Sequence, residues 1–171
     1  MLKQTYNKIL IVGDAGRGKT ALAQKISKKL GLPHYSTDDS LYEIKYTIFK
    51  DRQKGLNEMA EIYRSNKWVV EGTTRYLLNG GMDAADIIIH LKYKSIFSQI
   101  FNLLKRHFVR KDKSLWQSLL LMRHVIYKRF QTKKSRQEMK QMTISEHILP
   151  HMHKSIVLTS FKEIDEFIDS I

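Results

Sequence analysis

Apolar positions along the chain follow two different periods. Ile9-Leu10-Ile11-Val12 is an unbroken, largely β-branched run that stops at Gly13, as expected of a parallel strand buried on both faces. Leu22, Ile26 and Leu30 then recur every fourth residue up to Gly31 and predict a helix over about 18–30. A short second strand is expected to end near Thr37, followed by helical patterns over about 40–50 and 55–65. The second pattern sets Leu56, Met59, Ile62 and Tyr63 on one face. Trp68-Val69-Val70, closing at Glu71-Gly72, reads as a third strand, and 86–91 (DIIIHL) as a fourth. Helices are predicted over about 95–108 and 115–130, with a third before Pro150. Residues 155–158 (SIVL) make a fifth strand, and Phe161, Ile164, Phe167 and Ile168 line a terminal amphipathic helix. Strands alternating with helices predict an α/β fold around a parallel sheet.

The 171 residues fit one domain with a sizeable core. There is no repeat, low-complexity tract or linker, and neither Pro33 nor Pro150 marks a boundary. The expectation is a single domain over 1–171, with its core in about 1–91 and 154–171 and a basic helical segment over about 92–150. No apolar run approaches the ~18–20 residues of a membrane helix, and the N-terminal residues contain no cleavable apolar region. A cytoplasmic protein without membrane partners is therefore expected. Zero cysteines exclude a disulfide scaffold, a zinc ribbon and thiol catalysis.

Charge changes the picture. The formal net charge is +13, yet residues 92–141 alone hold 14 basic and 2 acidic side chains. An excess of this size points to a polyanionic partner, whether nucleotide phosphates, nucleic acid or an anionic surface, and competes with a plain solvated face.

The decisive motif lies between the first strand and the first helix. Gly13-Asp14-Ala15-Gly16-Arg17-Gly18-Lys19-Thr20 fits G-x-x-x-x-G-K-[ST] in the strand–loop–helix setting that the motif requires. Glycines there let successive N–H groups converge on an anion, and the helix N-terminus adds its dipole. Residues Gly13, Ala15, Gly16, Arg17, Gly18, Lys19, Thr20 and Ala21 are thus expected to hold ATP. Lys19 would reach the β- and γ-phosphates, and the Thr20 hydroxyl would ligate Mg²⁺. Asp14 is an acid within a phosphate loop and is expected to point away from bound phosphates. A GTPase would need Asn-Lys-x-Asp, but Asn66-Lys67 is followed by Trp68-Val69. A larger ATPase would need an apolar strand closing in Asp-Glu, and no strand does so. The compact kinase class remains.

The segments KILIVGDAGRGKTALAQKISKKLGLPHYSTDD, WVVEGTTR and ADIIIHLK resemble small bacterial P-loop kinase-like proteins, the adenylate kinase-related or DNA topology modulation family, kin to adenylate and shikimate kinases. That resemblance implies a five-stranded parallel sheet in the order 2-3-1-4-5, an acceptor region after the second strand and a basic lid after the fourth. It also implies an acceptor-site aspartate after the second strand. By offset this is Asp38, with Asp39 second in line. A carboxylate there can orient an attacking hydroxyl or accept its proton. The competing role is a helix cap at Asp39-Ser40. Glu71-Gly72-Thr73-Thr74-Arg75 resembles the adenylate kinase pattern Asp-Gly-x-x-Arg, with Glu for Asp and Thr for the usual Pro. This implies Glu71 near the Mg²⁺ and Arg75 on an acceptor anion; an ordinary surface ion pair is the alternative.

In the implied lid, Arg106 and Arg110 are the preferred partners of the transferring phosphoryl group. Arg123, Lys128 and Arg129 suit phosphate contact and solvation equally, while Trp116, Tyr127 and Phe130 suit core packing or base stacking. His147, His151 and His153 are interrupted by Pro150 and lack a completing Cys or carboxylate, so no metal site is expected from them. Two functions stand at this point. One is an ATP- and Mg²⁺-dependent kinase acting on a small-molecule acceptor. The other is an NTP-binding regulatory or nucleic-acid-binding module whose basic segment contacts a phosphate backbone; in the kinase reading, nucleic-acid binding is expected to be weak and non-specific.

Overall fold

A computed structural model of the chain describes residues 5–14, 16–44, 47–92 and 143–171. Five parallel strands form the central sheet: β1 (Lys8–Val12), β2 (His34–Ser36), β5 (Trp68–Gly72), β6 (Ile87–Leu91) and β7 (Ser155–Leu158). Their spatial order is β2-β5-β1-β6-β7. Counting only the strands of this sheet, that is the order 2-3-1-4-5; the labels differ because a two-stranded hairpin, β3 (Tyr42–Ile44) and β4 (Ile48–Phe49), intervenes.

β1 is central, with Ile9 opposite Val69 on one side and Ile87 on the other. All four of Ile9, Leu10, Ile11 and Val12 are fully buried because helices cover both faces. Ile9, Ile11, Val69 and Ile89 pack beneath Leu22, Ala23 and Ile26 of α1 (Lys19–Leu30) and Ile164 of α6 (Phe161–Ser170). Leu10, Val12, Val70 and Ile88 meet Met59 and Tyr63 of α3 (Arg52–Arg64) and Leu77, Leu78 and Met82 of α4 (Arg75–Ala84). Each such fully buried aliphatic side chain contributes roughly 1.5–3 kcal/mol. Ile144 and Ile148 of the short α5 (Ile144–Ile148) complete this second core. That helix thus belongs to the packed body, ahead of the boundary near 154 read from the sequence.

Residues 40–50 differ from expectation. The short helix α2 (Thr37–Leu41) ends where the β3–β4 hairpin begins, and Tyr42 pairs with Phe49 at a ring-centroid distance of 4.8 Å. The aromatic and β-branched residues Tyr42, Ile44, Ile48 and Phe49 favour strands, and over ten residues the helical and strand periods overlap. Lys50 Nζ donates to Glu58 Oε2 (2.8 Å) and Lys54 Nζ to Glu43 Oε1 (3.0 Å), tying the hairpin to α3. Among the described residues no helix is long and apolar enough to cross a membrane.

Candidate functional site

At the carboxyl end of β1 the chain turns through Gly13–Gly18 into α1. Gly16 (φ 76°) and Gly18 (φ 79°) occupy the left-handed region, where a side chain is strained. This conformation lets α1 begin at Lys19, with Gly18 as a cap residue that offers no side chain. Ala15 lies outside the described residues, and Ala21 stands in the first turn of α1.

Lys19 is buried, and its Nζ donates to the Asp14 carbonyl oxygen at 3.0 Å. Burial pushes its ammonium pKa below the ordinary lysine value; Glu71 opposes this most strongly, followed by Asp38 and Asp14. The lysine therefore sits in the combined field of three carboxylates drawn from the loop, the β2–α2 junction and β5. Thr20 Oγ1 donates to Glu71 Oε1 at 3.0 Å. This joins residues 51 positions apart, and it is possible only because β5 lies beside β1. Thr73, just beyond β5, fixes the same edge by donating its hydroxyl to the Gly13 carbonyl at 3.2 Å.

The helix cap at Asp39-Ser40, the competing role for these residues, is not there. Ser36 caps α2, its Oγ accepting from the Asp38 N–H at 3.3 Å. The cap falls earlier because the strand ends at Ser36, one residue ahead of the expected Thr37. Neither aspartate is needed as the cap. Asp38 acts electrostatically on both Lys19 and Tyr42, whereas the Asp39 residue is exposed. The close approach of the start of α2 to the end of β5 depends on Gly72, because a Cβ there would strike the Thr37 side chain.

Asp14 turns its carboxylate onto Arg17, with Oδ2 3.2 Å from Nη2. Arg75 is the first residue of α4 and is close enough to His147 for its charge to help lower that imidazole's pKa, after burial. His147 Nε2 lies 2.7 Å from Asn79 Oδ1, and His151 Nε2 lies 3.8 Å from Asp83 Oδ1. Arg106 and Arg110, together with Arg123, Lys128 and Arg129, lie outside the described residues.

Several residues of this region were not singled out from the sequence. Tyr42 is near both Asp38 and Tyr76, whose charges reinforce the effect of burial and raise its hydroxyl pKa. Arg52 places its guanidinium 4.7 Å from the centroid of the Tyr76 ring. His90, buried at the end of β6, is pushed down to about 4, chiefly by burial and then by Lys92 and Arg17. A lone polar residue inside the otherwise apolar strand IIIHL was the available signal for His90. Tyr42, Arg52 and Tyr76 had none, since they meet only through the hairpin and the α3–α4 packing.

No protein-family model and no curated protein matches this chain. Solved structures do match it. A gluconokinase from Sinorhizobium meliloti 1021 superposes with a TM-score of 0.54 at 14% identity, over 96% of this chain and 88% of that one. A shikimate kinase from Acinetobacter baumannii, solved in complex with shikimate, gives 0.52 at 16% identity over 95% and 89%. A shikimate kinase from Bacteroides thetaiotaomicron gives 0.54 at 13% identity over 96% and 95%. At these identities the likeness is one of fold.

Proposed function

From a P-loop kinase fold with these residues at the end of its sheet, we propose that the protein is a kinase transferring the γ-phosphoryl group of ATP to the hydroxyl of a small acceptor. One observation carries this reading. Lys19, Thr20, Glu71 and Asp38 converge at one edge of the sheet, with Thr20 hydrogen-bonded to Glu71 and Lys19 in the field of Glu71 and Asp38. A module that only binds nucleotide has no need of a carboxylate at the Asp38 position.

In this reading the loop N–H groups and Lys19 hold the triphosphate. The hydroxyl and carboxylate oxygens of Thr20 and Glu71 suit a hard cation that keeps most of its ligands as water and phosphate. Magnesium held there would neutralise charge developing on the phosphate oxygens. Asp38 orients the acceptor hydroxyl and takes its proton as the new oxygen–phosphorus bond forms and the bond to the β-phosphate bridging oxygen breaks. Asp39 is the second choice for that role. Arg75 holds an anionic group of the acceptor, and Arg106 and Arg110 of the basic segment screen the transferring phosphoryl group. Kinship with the adenylate kinase-related or DNA topology modulation proteins is part of this proposal, as is a cytoplasmic setting.

The test is ADP release above the basal rate across nucleosides, nucleotides and hydroxyl metabolites, with Mg²⁺ present. Stimulation by one acceptor class supports the reading; ATP binding without stimulation by any of them refutes it. The twelve-charge excess of residues 92–141 favours a second reading, an NTP-binding module that touches nucleic acid. In the kinase reading, DNA binding is weak and decays steeply with salt as counterions are released. Sequence-specific binding that persists at physiological salt would favour the module.

A further inference from the structure

The phosphate loop contains a second cation besides Lys19. Arg17 is 6% exposed, so its guanidinium is withdrawn from water within the loop itself. Its stem folds back toward Gly13 at the start of the loop, with Cδ 3.5 Å from where a Cβ on Gly13 would stand. Nη2 lies 3.2 Å from Asp14 Oδ2. A guanidinium removed from water needs a counter-ion, and removing that partner from a buried pair is costly. Asp14 supplies the charge from three residues away. Its own side chain remains 47% exposed, so it can turn out into solvent with little penalty. The pair is thus unequal, a sheltered cation and a half-solvated anion that a stronger anion can replace. Arg17 also acts on Lys19 and His90, which puts its charge at the junction of the loop with the ends of β1 and β6.

We propose that Arg17 is a second phosphate-binding cation of this loop and that Asp14 is its resident counter-ion, displaced when the phosphates of a nucleotide arrive. The proposal rests on the reading of the loop as a nucleotide site. A planar guanidinium offers phosphate two parallel donors, which a single ammonium cannot. With Asp14 holding Arg17 beforehand, the loop keeps its cation sheltered and compensated between turnovers. The cost is a carboxylate that competes with the ligand.

A double-mutant cycle on ATP affinity, read by calorimetry with adenosine as the phosphate-free control, tests this. Asp14→Asn is nearly isosteric and should tighten ATP binding about three- to tenfold, because no carboxylate competes for Arg17. Arg17→Gln should weaken ATP binding about tenfold or more. In the double variant the Asn substitution should bring no gain, and adenosine affinity should be the same throughout. If Arg17→Gln lowers the melting temperature enough to obscure binding, Arg17→Lys replaces it in the cycle and should give a smaller loss. An equal gain from Asp14→Asn with or without Arg17 would show general charge relief and overturn the proposal. So would an unchanged or weakened ATP affinity in Asp14→Asn alone. Absence of ATP binding by the wild-type protein would instead overturn the nucleotide-site reading, and this inference with it.

Discussion

Asp38→Asn separates structure from chemistry at the proposed acceptor side of the site. The helix cap here is the Ser36 hydroxyl accepting from the Asp38 backbone N–H, so the substitution leaves the cap untouched. What α2 loses is one negative charge in its first turn, worth about 0.3–1 kcal/mol against the helix dipole. Lys19 loses one of the three carboxylates that raise its pKa, while Glu71, the strongest of them, remains. The fold should therefore survive with a small shift in melting temperature. If Asp38 is the group that takes the acceptor proton, turnover should fall by about 10²–10⁴, equivalent to roughly 3–5 kcal/mol of barrier. ATP affinity should change little, since Lys19, Thr20 and the loop are intact. The measurements are thermal unfolding, ATP calorimetry, and ADP formation with the acceptor that the screen identifies. Turnover within a few-fold of wild type would refute the assignment and pass the role to Asp39, which the same substitution then examines. Ser36→Ala is the structural control. It removes the cap, at about 1 kcal/mol, and should disturb stability more than Asp38→Asn while lowering turnover less.

Three other outcomes follow from the geometry. Lys19→Ala should weaken ATP binding by at least about a hundredfold in calorimetry, with folding retained by circular dichroism, because the loss is of a charge-assisted phosphate contact. Gly72→Ala should destabilise the protein by about 1–3 kcal/mol in denaturant titration, since its Cβ meets the Thr37 side chain. Thr37→Ala in that background should restore part of the loss, and no restoration would refute the steric account. His90 takes up a proton near its ordinary value of 6.5 when unfolded but only at about 4 when folded. The unfolded state therefore binds more protons between these limits, and melting temperature should fall as pH drops through that window and gain nothing from His90 above it. His90→Gln should flatten this part of the profile.

How much was legible in the sequence differs from one part of the molecule to another. Helix α1 and strands β1, β5 and β6 could be read because their patterns are long or wholly apolar and are bounded by glycines or polar residues. The turn between β1 and α1 could be read because its backbone demands glycine at fixed spacing, a local requirement that leaves a local signature. The hairpin at 42–49 could not, since a short stretch of aromatic and β-branched residues satisfies both periods until its neighbours choose one.

The sequence alone determined the fold class and the strand–loop–helix turn from Gly13 to Lys19, both of which depend on neighbours along the chain. Only the tertiary structure decided that Thr20 meets Glu71, that Asp38 acts on Lys19 while Ser36 provides the cap, and that Arg17 is sheltered against Gly13 and held by Asp14. The physical reason is the crossover that inserts β5 between β1 and β2. A parallel sheet wound in that order brings the ends of strands dozens of residues apart to one edge, and side-chain distances across that edge leave no trace in sequence spacing.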